Sequence, residues 1–192
     1  MIGETQTLDN GFRKVVLNRI RALKDFGNVK AGDIGGWIEC EKNLSQKGDA
    51  WVGGDAKVYG NAIVRDNAKV YDNAKVCGNA KVYDNAIVYD SAKVYDNAKV
   101  CGSAKVCGNA IVRDNAIVYM PNHVLVIGAI GSRNDFTTFY RGRDGQIMVR
   151  CGCFGGTLDT FLRVVDKTHG SNHYADVYRA AAKVAELQIN LK

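Results

Sequence analysis

Proline is nearly absent from this sequence of 192 residues, which contains only Pro121. Because proline interrupts both helices and strands, so low a content favours regular secondary structure over most of the chain. Long apolar runs are absent too, since no stretch approaches the roughly 18 residues that a membrane-spanning helix needs. The N-terminus also lacks the basic start and apolar stretch of a signal peptide. We therefore expect a cytoplasmic protein that does not associate with a membrane.

No region carries a dense run of basic residues, although the formal net charge is +6. A dedicated nucleic-acid-binding protein concentrates its basic residues on one face, so the thin spread here argues against such a partner. It is compatible with weak attraction of a small anion. The six cysteines are expected to be free thiols, because the cytosol is reducing.

What the sequence has in abundance is a six-residue repeat, A-x-V-x followed by two turn residues. Twelve valines occur in phase from Val52 to Val118, and an alanine lies two residues before each of them. Residues two apart in a strand face the same side, so each Ala and Val should face inward together. Pairs such as Asp-Asn and Gly-Asn suit tight corners, because Asn and Gly tolerate the left-handed conformation. A period of six with these features predicts a β-helix.

On these residues the chain resembles the hexapeptide-repeat family of left-handed parallel β-helices. The resemblance implies a triangular prism with three hexapeptides per turn, hence about four coils, and it implies a homotrimer. The fold class we expect is mainly β. Residues 1–49 would form an N-terminal β cap, residues 50–120 the β-helix, and residues 121–192 a C-terminal α+β module.

The outward positions of the repeat carry rows of lysine and tyrosine when the sequence is stacked in steps of 18. Cys77, Cys101 and Cys107 then fall on three different faces. Tyrosine favours strands and lysine keeps a sheet soluble, so we interpret the rows as an ordinary surface or an oligomer interface.

Many members of the hexapeptide-repeat family are acyltransferases, which use a histidine on or near the coils and bind an acyl-carrier cofactor between prisms. A general base is required for that chemistry. Residues 50–119 contain no histidine. A fold does not by itself bring an activity, so we assign no catalytic residue and expect no cofactor. Acyl transfer from acetyl-CoA stays open as an alternative.

The segment before the repeat contains the pattern "VKAGDIGGW", which is similar to the N-terminal part of uncharacterised bacterial and phage hexapeptide-repeat proteins. Alternation in residues 19–26 predicts a strand, and Trp37 and Ile38 a second short one. The end of a solenoid needs covering, so we expect this segment to be a cap in which Trp37 and Trp51 pack.

After Pro121 the period of six stops. "HVLVIGAIG" predicts a strand, and "FTTFYR" with "QIMVRC" around "GRDG" predicts a hairpin. Thr157 is expected to cap a helix that ends at Gly170, and Asn172 to start a second helix. The buried side of that second helix is predicted to include Tyr174, Val177, Tyr178, Ala181 and Val184. The tail also resembles a small domain found behind hexapeptide repeats in phage-encoded proteins, which carries no catalytic assignment.

Two groups of potentially reactive residues in the tail give only weak evidence for a functional site. Cys151, Cys153, His169 and His173 are residue types that suit zinc, but C-x-C is a poor match to the usual C-x-x-C spacing, so no metal ligand is assigned. Cys153 and His169 could act as a nucleophile and its base, yet nothing in the sequence shows that they meet.

A third constellation is polar and aromatic. Arginines beside the glycine-rich "GCFGG", which precedes a helix start, suit a phosphate, and an aromatic ring suits a base. The alternative to a ligand-binding role is that the glycines only shape turns and the arginines are solvated. The residues predicted to bind a ligand are Ser132, Arg133, Asn134, Tyr140, Arg141, Cys153, Phe154 and His169.

Together these features favour a non-catalytic, phage-type oligomer that binds an anionic small molecule. The ligand we expect is a nucleotide signal, which the protein would sequester in the cytoplasm of a host cell as an anti-defence protein. The alternatives are a hexapeptide-type acyltransferase and a structural or protein-binding adaptor.

Overall fold

A computed structural model describes residues 1–9, 11 and 13–189. The first part of this chain forms two antiparallel strands and then two strands that join the β-helix, separated by a short 3-10 helix at Glu41–Asn43. Their bounds are β1 Thr5–Asp9, β2 Lys14–Arg21, β3 Ile34–Ile38 and β4 Leu44–Gly48.

The repeats form short strands, one for each hexapeptide, that stack in parallel with a register of 18 residues; Val58, for example, pairs with Val76. The strands are β5 Trp51–Val52, β6 Lys57–Val58, β7 Ile63–Asp66, β8 Lys69–Val70, β9 Lys75–Val76, β10 Lys81–Val82, β11 Ile87–Val88, β12 Lys93–Val94, β13 Lys99–Val100, β14 Lys105–Val106, β15 Ile111–Val112 and β16 Ile117–Val118. They form three sheets, in the orders β1-β2-β3-β6-β9-β12-β15, β4-β7-β10-β13-β16 and β5-β8-β11-β14, which we call the first, second and third sheets.

This stacking confirms the predicted parallel β-helix. Every in-phase valine from Val52 to Val118 is fully buried, and the alanines from Ala56 to Ala116 are at most 1% exposed. The coils extend one level further than the repeat itself, because β3 and β4 pair in parallel with β6 and β7. All six cysteines are free thiols, and Cys77, Cys101 and Cys107 follow strands of three different sheets, as predicted. Cys101, however, is buried rather than at the surface.

The corners use aspartate as well as glycine in the left-handed conformation. Asp66, Asp84 and Asp90 have φ values of 61°, 57° and 58°. Aspartate accepts this conformation when its side chain finds a local partner, and here Asp84 Oδ2 accepts a hydrogen bond of 3.0 Å from the N–H of Gly102 in the next coil. The asparagines that follow stack as amide ladders, such as Asn61 to Asn79 at 3.1 Å. Each corner is therefore fixed to the coil beside it.

The N-terminal segment covers one edge of the first sheet. Strand β2 pairs with β3 in antiparallel fashion, and Val15 and Leu17 pack against Trp37 in a buried cluster. The predicted strand at residues 19–26 is wrong in its position, because β2 begins at Lys14 and ends at Arg21. Trp51 packs edge-on against Phe26, with ring centroids 5.6 Å apart, so both tryptophans lie in packed positions.

The C-terminal module is an antiparallel sheet with two helices on one face, after a 3-10 turn at Pro121–His123. Its opposite face closes the end of the β-helix, because Tyr140 joins the core of the coils and Thr138 Oγ1 accepts a hydrogen bond of 3.1 Å from the N–H of Ile111. The elements are β17 Val124–Ile130, β18 Asp135–Arg141, β19 Ile147–Cys151, β20 Phe154–Thr157, α1 Leu158–His169 and α2 His173–Gln188.

The helix boundaries agree with the sequence prediction. Thr157 accepts a hydrogen bond from the N–H of Thr160, Asn172 caps α2, and Gly170 ends α1 with a φ of 57°. The predicted buried side of α2 is wrong in part. Tyr174 and Val184 are 44% and 48% exposed, because α2 turns the stripe of Ala175, Tyr178, Ala181, Ala182 and Ala185 towards its neighbours. Within the described residues, no helix is long and apolar enough to cross a membrane.

Candidate functional site

Strand β18 divides the residues predicted to bind a ligand into two groups. Ser132, Arg133 and Asn134 form the turn before the strand, whereas Tyr140 and Arg141 are its last two residues. At about 3.3 Å per residue, the strand separates the two groups by roughly 20 Å. A single small ligand therefore does not contact both.

The group at the end of β18 belongs to the junction with the β-helix. Tyr140 is fully buried, and its hydroxyl lies 3.4 Å from Asp114 Oδ2. Burial raises the pKa of Tyr140 far above its usual range. The guanidinium of Arg141 lies 5.2 Å from the ring centroid of Tyr119. The predicted role of Tyr140 as a ligand platform is wrong for this chain, because its ring already fills the end of the coils.

His123 lies at the same junction and has features of a functional residue, although the sequence analysis did not identify it as a candidate. It is fully buried, its Nδ1 accepts a hydrogen bond of 3.4 Å from the backbone N–H of Tyr119, and its Nε2 has no partner in the described residues. Burial, reinforced by the positive charge of Arg141, lowers the pKa of His123. It is the histidine nearest to the coils in sequence, which is the signal that could have drawn attention to it.

The group before β18 gathers around Tyr178 of helix α2. The Tyr178 ring packs so closely on Gly131 that a Cβ there would lie 2.0 Å from the ring. Its hydroxyl interacts with Ser132 and lies 4.0 Å from Cys151 Sγ, and its ring centroid lies 5.7 Å from that of His169. Tyr178 is only 3% exposed. Ser132 and His169 are therefore neighbours of one buried ring rather than two walls of an open site.

The remaining predicted residues lie on or near the turn between β19 and β20. Phe154 is half-buried and packs on Phe161, with ring centroids 5.4 Å apart, while Cys153 is exposed. No hydrogen bond joins Cys153 to His169 within residues 13–189. In the same part of the chain, no group of three or more His, Cys, Asp or Glu residues could hold a metal ion.

The glycine-rich stretch "GCFGG" does not form a phosphate loop. Gly155 and Gly156 belong to strand β20 and pair with Arg150 and Val149 of β19. The following helix start has its own cap, because Thr157 Oγ1 accepts a hydrogen bond of 3.3 Å from the N–H of Thr160. These glycines therefore lie in an extended hairpin rather than in a loop around an anion, and one N–H of the first helical turn is already capped.

A small groove does lie where the module meets the outer surface of the first sheet, and we call it the junction groove. Its volume is about 250 Å³. It is lined by Ser91, Lys93, Asn109, Ile111, Asp135, Phe136, Arg150 and Gly152.

The module side of the junction groove supplies arginine and an aromatic ring. Arg150 donates from Nη1 to the carbonyl oxygens of Cys153 and Phe154, both at 3.1 Å, and its Nε is buried without a partner in the described residues. Arg133 packs against Gly152, so closely that a Cβ on residue 152 would lie 2.5 Å from Nε of Arg133. The ring of Phe136 is held over Gly128, and the residue is 41% exposed.

The β-helix side of the junction groove supplies a lysine from the outward row of the first sheet. Lys93 is exposed and pairs in register with Lys75 of the preceding coil and Ile111 of the next one. Neither Lys93 nor Arg133 forms an ion pair within the described residues. Asp135 supplies the one acidic side chain in the lining. The groove thus combines cations from two parts of the chain with one exposed aromatic ring.

Comparison with curated proteins gives one short similarity. No family model matches the chain. It is similar to a protein of Escherichia coli (strain K12) that is described as the uncharacterized acetyltransferase YdcK, with 43% identity over 44 residues. The aligned stretch covers 23% of this chain and 14% of that protein. This similarity and the observed coils fit a hexapeptide-repeat protein.

Proposed function

We propose that this chain is a non-catalytic binding protein for an anionic small molecule, and that the junction groove is where the anion binds. The observation that carries the proposal is that Lys93, Phe136 and Arg150 line the same groove, with Arg133 packed against its lining residue Gly152. Among the residues that line the groove, Asp135 is the one with an acidic side chain. Phosphate oxygens suit arginine and lysine, and a flat base suits an aromatic face.

Arg150 supports the proposal most strongly because part of its guanidinium is fixed. Its Nη1 is held by two backbone carbonyls, which orients the planar group. Its buried Nε lacks a partner. An unsatisfied buried donor costs about 1–3 kcal/mol, so an anion that reaches this N–H would gain more than one at a solvated side chain.

The size of the junction groove limits what enters it. A volume of about 250 Å³ is slightly below the roughly 300–1,000 Å³ of most small-molecule sites. We infer that the edge of a base and the phosphate group nearest to it lie in the groove, and that any further phosphate groups extend along the lysine row towards Lys75. In the homotrimer that the family resemblance implies, each protomer would carry one such groove. A phage-encoded protein of this kind would sequester a nucleotide signal of its host.

Acyl transfer from acetyl-CoA is a second candidate, favoured by the printed description of the Escherichia coli relative. Two observations favour binding over it. The similarity covers 14% of that relative, and His123, the histidine nearest to the coils in sequence, is fully buried. A purely structural or protein-binding adaptor is the third candidate.

Thermal unfolding in the presence of nucleotides, cyclic nucleotides and acetyl-CoA separates these candidates. We expect at least one nucleotide to raise the Tm. The shift should shrink in Lys93→Ala and Arg133→Ala, while Lys99→Ala, the same repeat position on the second sheet, should behave like the wild type. Loss of one charge-assisted hydrogen bond corresponds to a drop in affinity of about tenfold or more.

The other outcomes overturn the proposal in different ways. Stabilisation by acetyl-CoA alone would favour the acyltransferase, and no response to any compound would favour the adaptor. Equal responses in Lys93→Ala and Lys99→Ala would place the binding site away from the junction groove.

A further inference from the structure

The two ends of the β-helix are closed to different degrees. At the C-terminal end, Tyr140 fills the core and Val124, Val126 and Met148 pack against it. At the N-terminal end a cavity of about 570 Å³ remains between the first coil and the loop that follows β2. We call it the coil-end cavity. It is more than twice as large as the junction groove and lies within the range typical of small-molecule sites.

The coil-end cavity has an apolar floor. The buried apolar residues of its lining, each at most 7% exposed, are Ile20, Ala22, Ile38, Leu44, Ala50 and Trp51. These include the inward-facing side chains of the first coil, which elsewhere in the β-helix are covered by the next coil. Apolar area that is removed from water contributes roughly 25 cal/mol per Å². An aliphatic chain in this cavity would take the place of the missing coil.

The rim of the cavity is polar and mostly basic. Arg21 and Lys24 are exposed lining residues, and neither forms an ion pair within the described residues. Glu41 supplies the one carboxylate of the lining. Leu23 lies between the two cations and is 88% exposed, so the rim also offers apolar contact to a chain that enters. Apolar depth beneath a cationic rim is complementary to an amphipathic anion.

We propose that the coil-end cavity is a binding site for an aliphatic carboxylate, with its hydrocarbon chain on the apolar floor and its carboxylate near Arg21 and Lys24. This site is separate from the junction groove. The two are at opposite ends of the β-helix, so each can be tested without the other.

Trp51 provides a direct reporter for this site, because it lies in the cavity floor. The second tryptophan, Trp37, packs in a different cluster with Val15 and Leu17. In a Trp37→Phe background, we expect decanoate, titrated below its micelle concentration, to shift the emission of Trp51 in a saturable way. Decyltrimethylammonium, which has the same chain and the opposite charge, should bind more weakly.

Two variants test the floor and the rim separately. Ala50→Leu should fill part of the cavity and weaken the binding of both probes. Lys24→Glu should weaken decanoate binding about two- to fivefold, the range expected for an exposed ion pair. Lys47→Glu is the matched control, because Lys47 is exposed and outside the lining.

The contrary results are equally clear. Equal affinity for the two probes would overturn the anionic preference, and no saturable shift would overturn the site. A mass that rises with protein concentration and falls in Ala50→Leu would show that a second copy occupies the cavity instead of a small molecule.

Discussion

The β-helix and the C-terminal module solve the same problem of burying apolar residues in opposite ways. In the coils, alanine and valine repeat at one spacing, and each unit contacts copies of itself above and below. In the module, the core unites side chains far apart in sequence, such as Phe139, Phe161 and Tyr178. Repetition therefore makes the fold of the coils easy to predict from the sequence, but it also makes the outer surface of the coils uniform. Distinct chemical groups meet where other segments interrupt the repetition, at the C-terminal module and at the N-terminal end of the coils.

The largest effect should come from breaking the repetition itself. Val82 is fully buried in the middle of the second sheet. Val82→Asp would bury an unpaired charge, so we expect the free energy of unfolding to fall by several kcal/mol, about 3–5 if the protein still folds. Lys81→Asp, at the exposed neighbouring position, should change it by only about 0.5 kcal/mol. Urea unfolding followed by far-UV circular dichroism measures both, and similar losses would contradict the stacked core.

A second effect tests whether the two regions unfold together. Tyr140→Ala removes the ring that joins the module to the coils, and truncation of a buried aromatic ring costs about 3–5 kcal/mol. Tyr140→Phe keeps the ring and loses only the 3.4 Å contact with Asp114, so about 1 kcal/mol is expected. The wild type should unfold in one transition. If Tyr140→Ala costs no more than Tyr140→Phe, the module does not stabilise the end of the β-helix.

The smallest effect that we expect is a loss of folding stability at acidic pH. His123 is held neutral, because burial and Arg141 lower its pKa in the folded chain. The unfolded chain takes up this proton near pH 6.5, so protonation favours unfolding below that value. The stabilisation is therefore present above about pH 6.5 and is lost as the pH falls from there towards the lowered pKa of the folded chain.

His123→Gln should flatten this dependence, measured as the free energy of unfolding between pH 7.5 and pH 5. His173→Gln, which changes an exposed histidine of the module, is the control and should keep the slope of the wild type. An unchanged slope in His123→Gln would show that the buried imidazole does not set the acid response.

The same difference between the coils and the module explains how much of each region could be predicted from the sequence. The coils, their inward faces and their corners could be predicted, because one spacing rule decides them from Val52 to Val118. The additional coil formed by β3 and β4 could not, because its pairing with β6 and β7 has an offset of 20 residues from Trp37 to Leu44 and of 18 at Gly48, and the 3-10 helix interrupts the pattern.

In the module, features set by neighbouring residues could be predicted from the sequence, whereas features set by contacts between distant residues could not. Thr157, Gly170 and Asn172 act through neighbouring backbone groups, and their roles were predicted. Tyr140 was misassigned because both faces of its strand are covered, one by the coils and one by the helices, so the polar-apolar alternation that marks an exposed face is missing. Lys93 and Arg150 line the same groove because of how the module docks on the coils, which no spacing in the sequence encodes.

The most direct test of the central claim is the affinity of one nucleotide for matched charge reversals. Isothermal titration would use the nucleotide that gives the largest rise in Tm, with the wild type, Lys93→Glu and Lys99→Glu. The junction groove predicts that Lys93→Glu binds at least tenfold more weakly, while Lys99→Glu retains the affinity of the wild type. Equal affinities for all three proteins would contradict a binding site between the β-helix and the module.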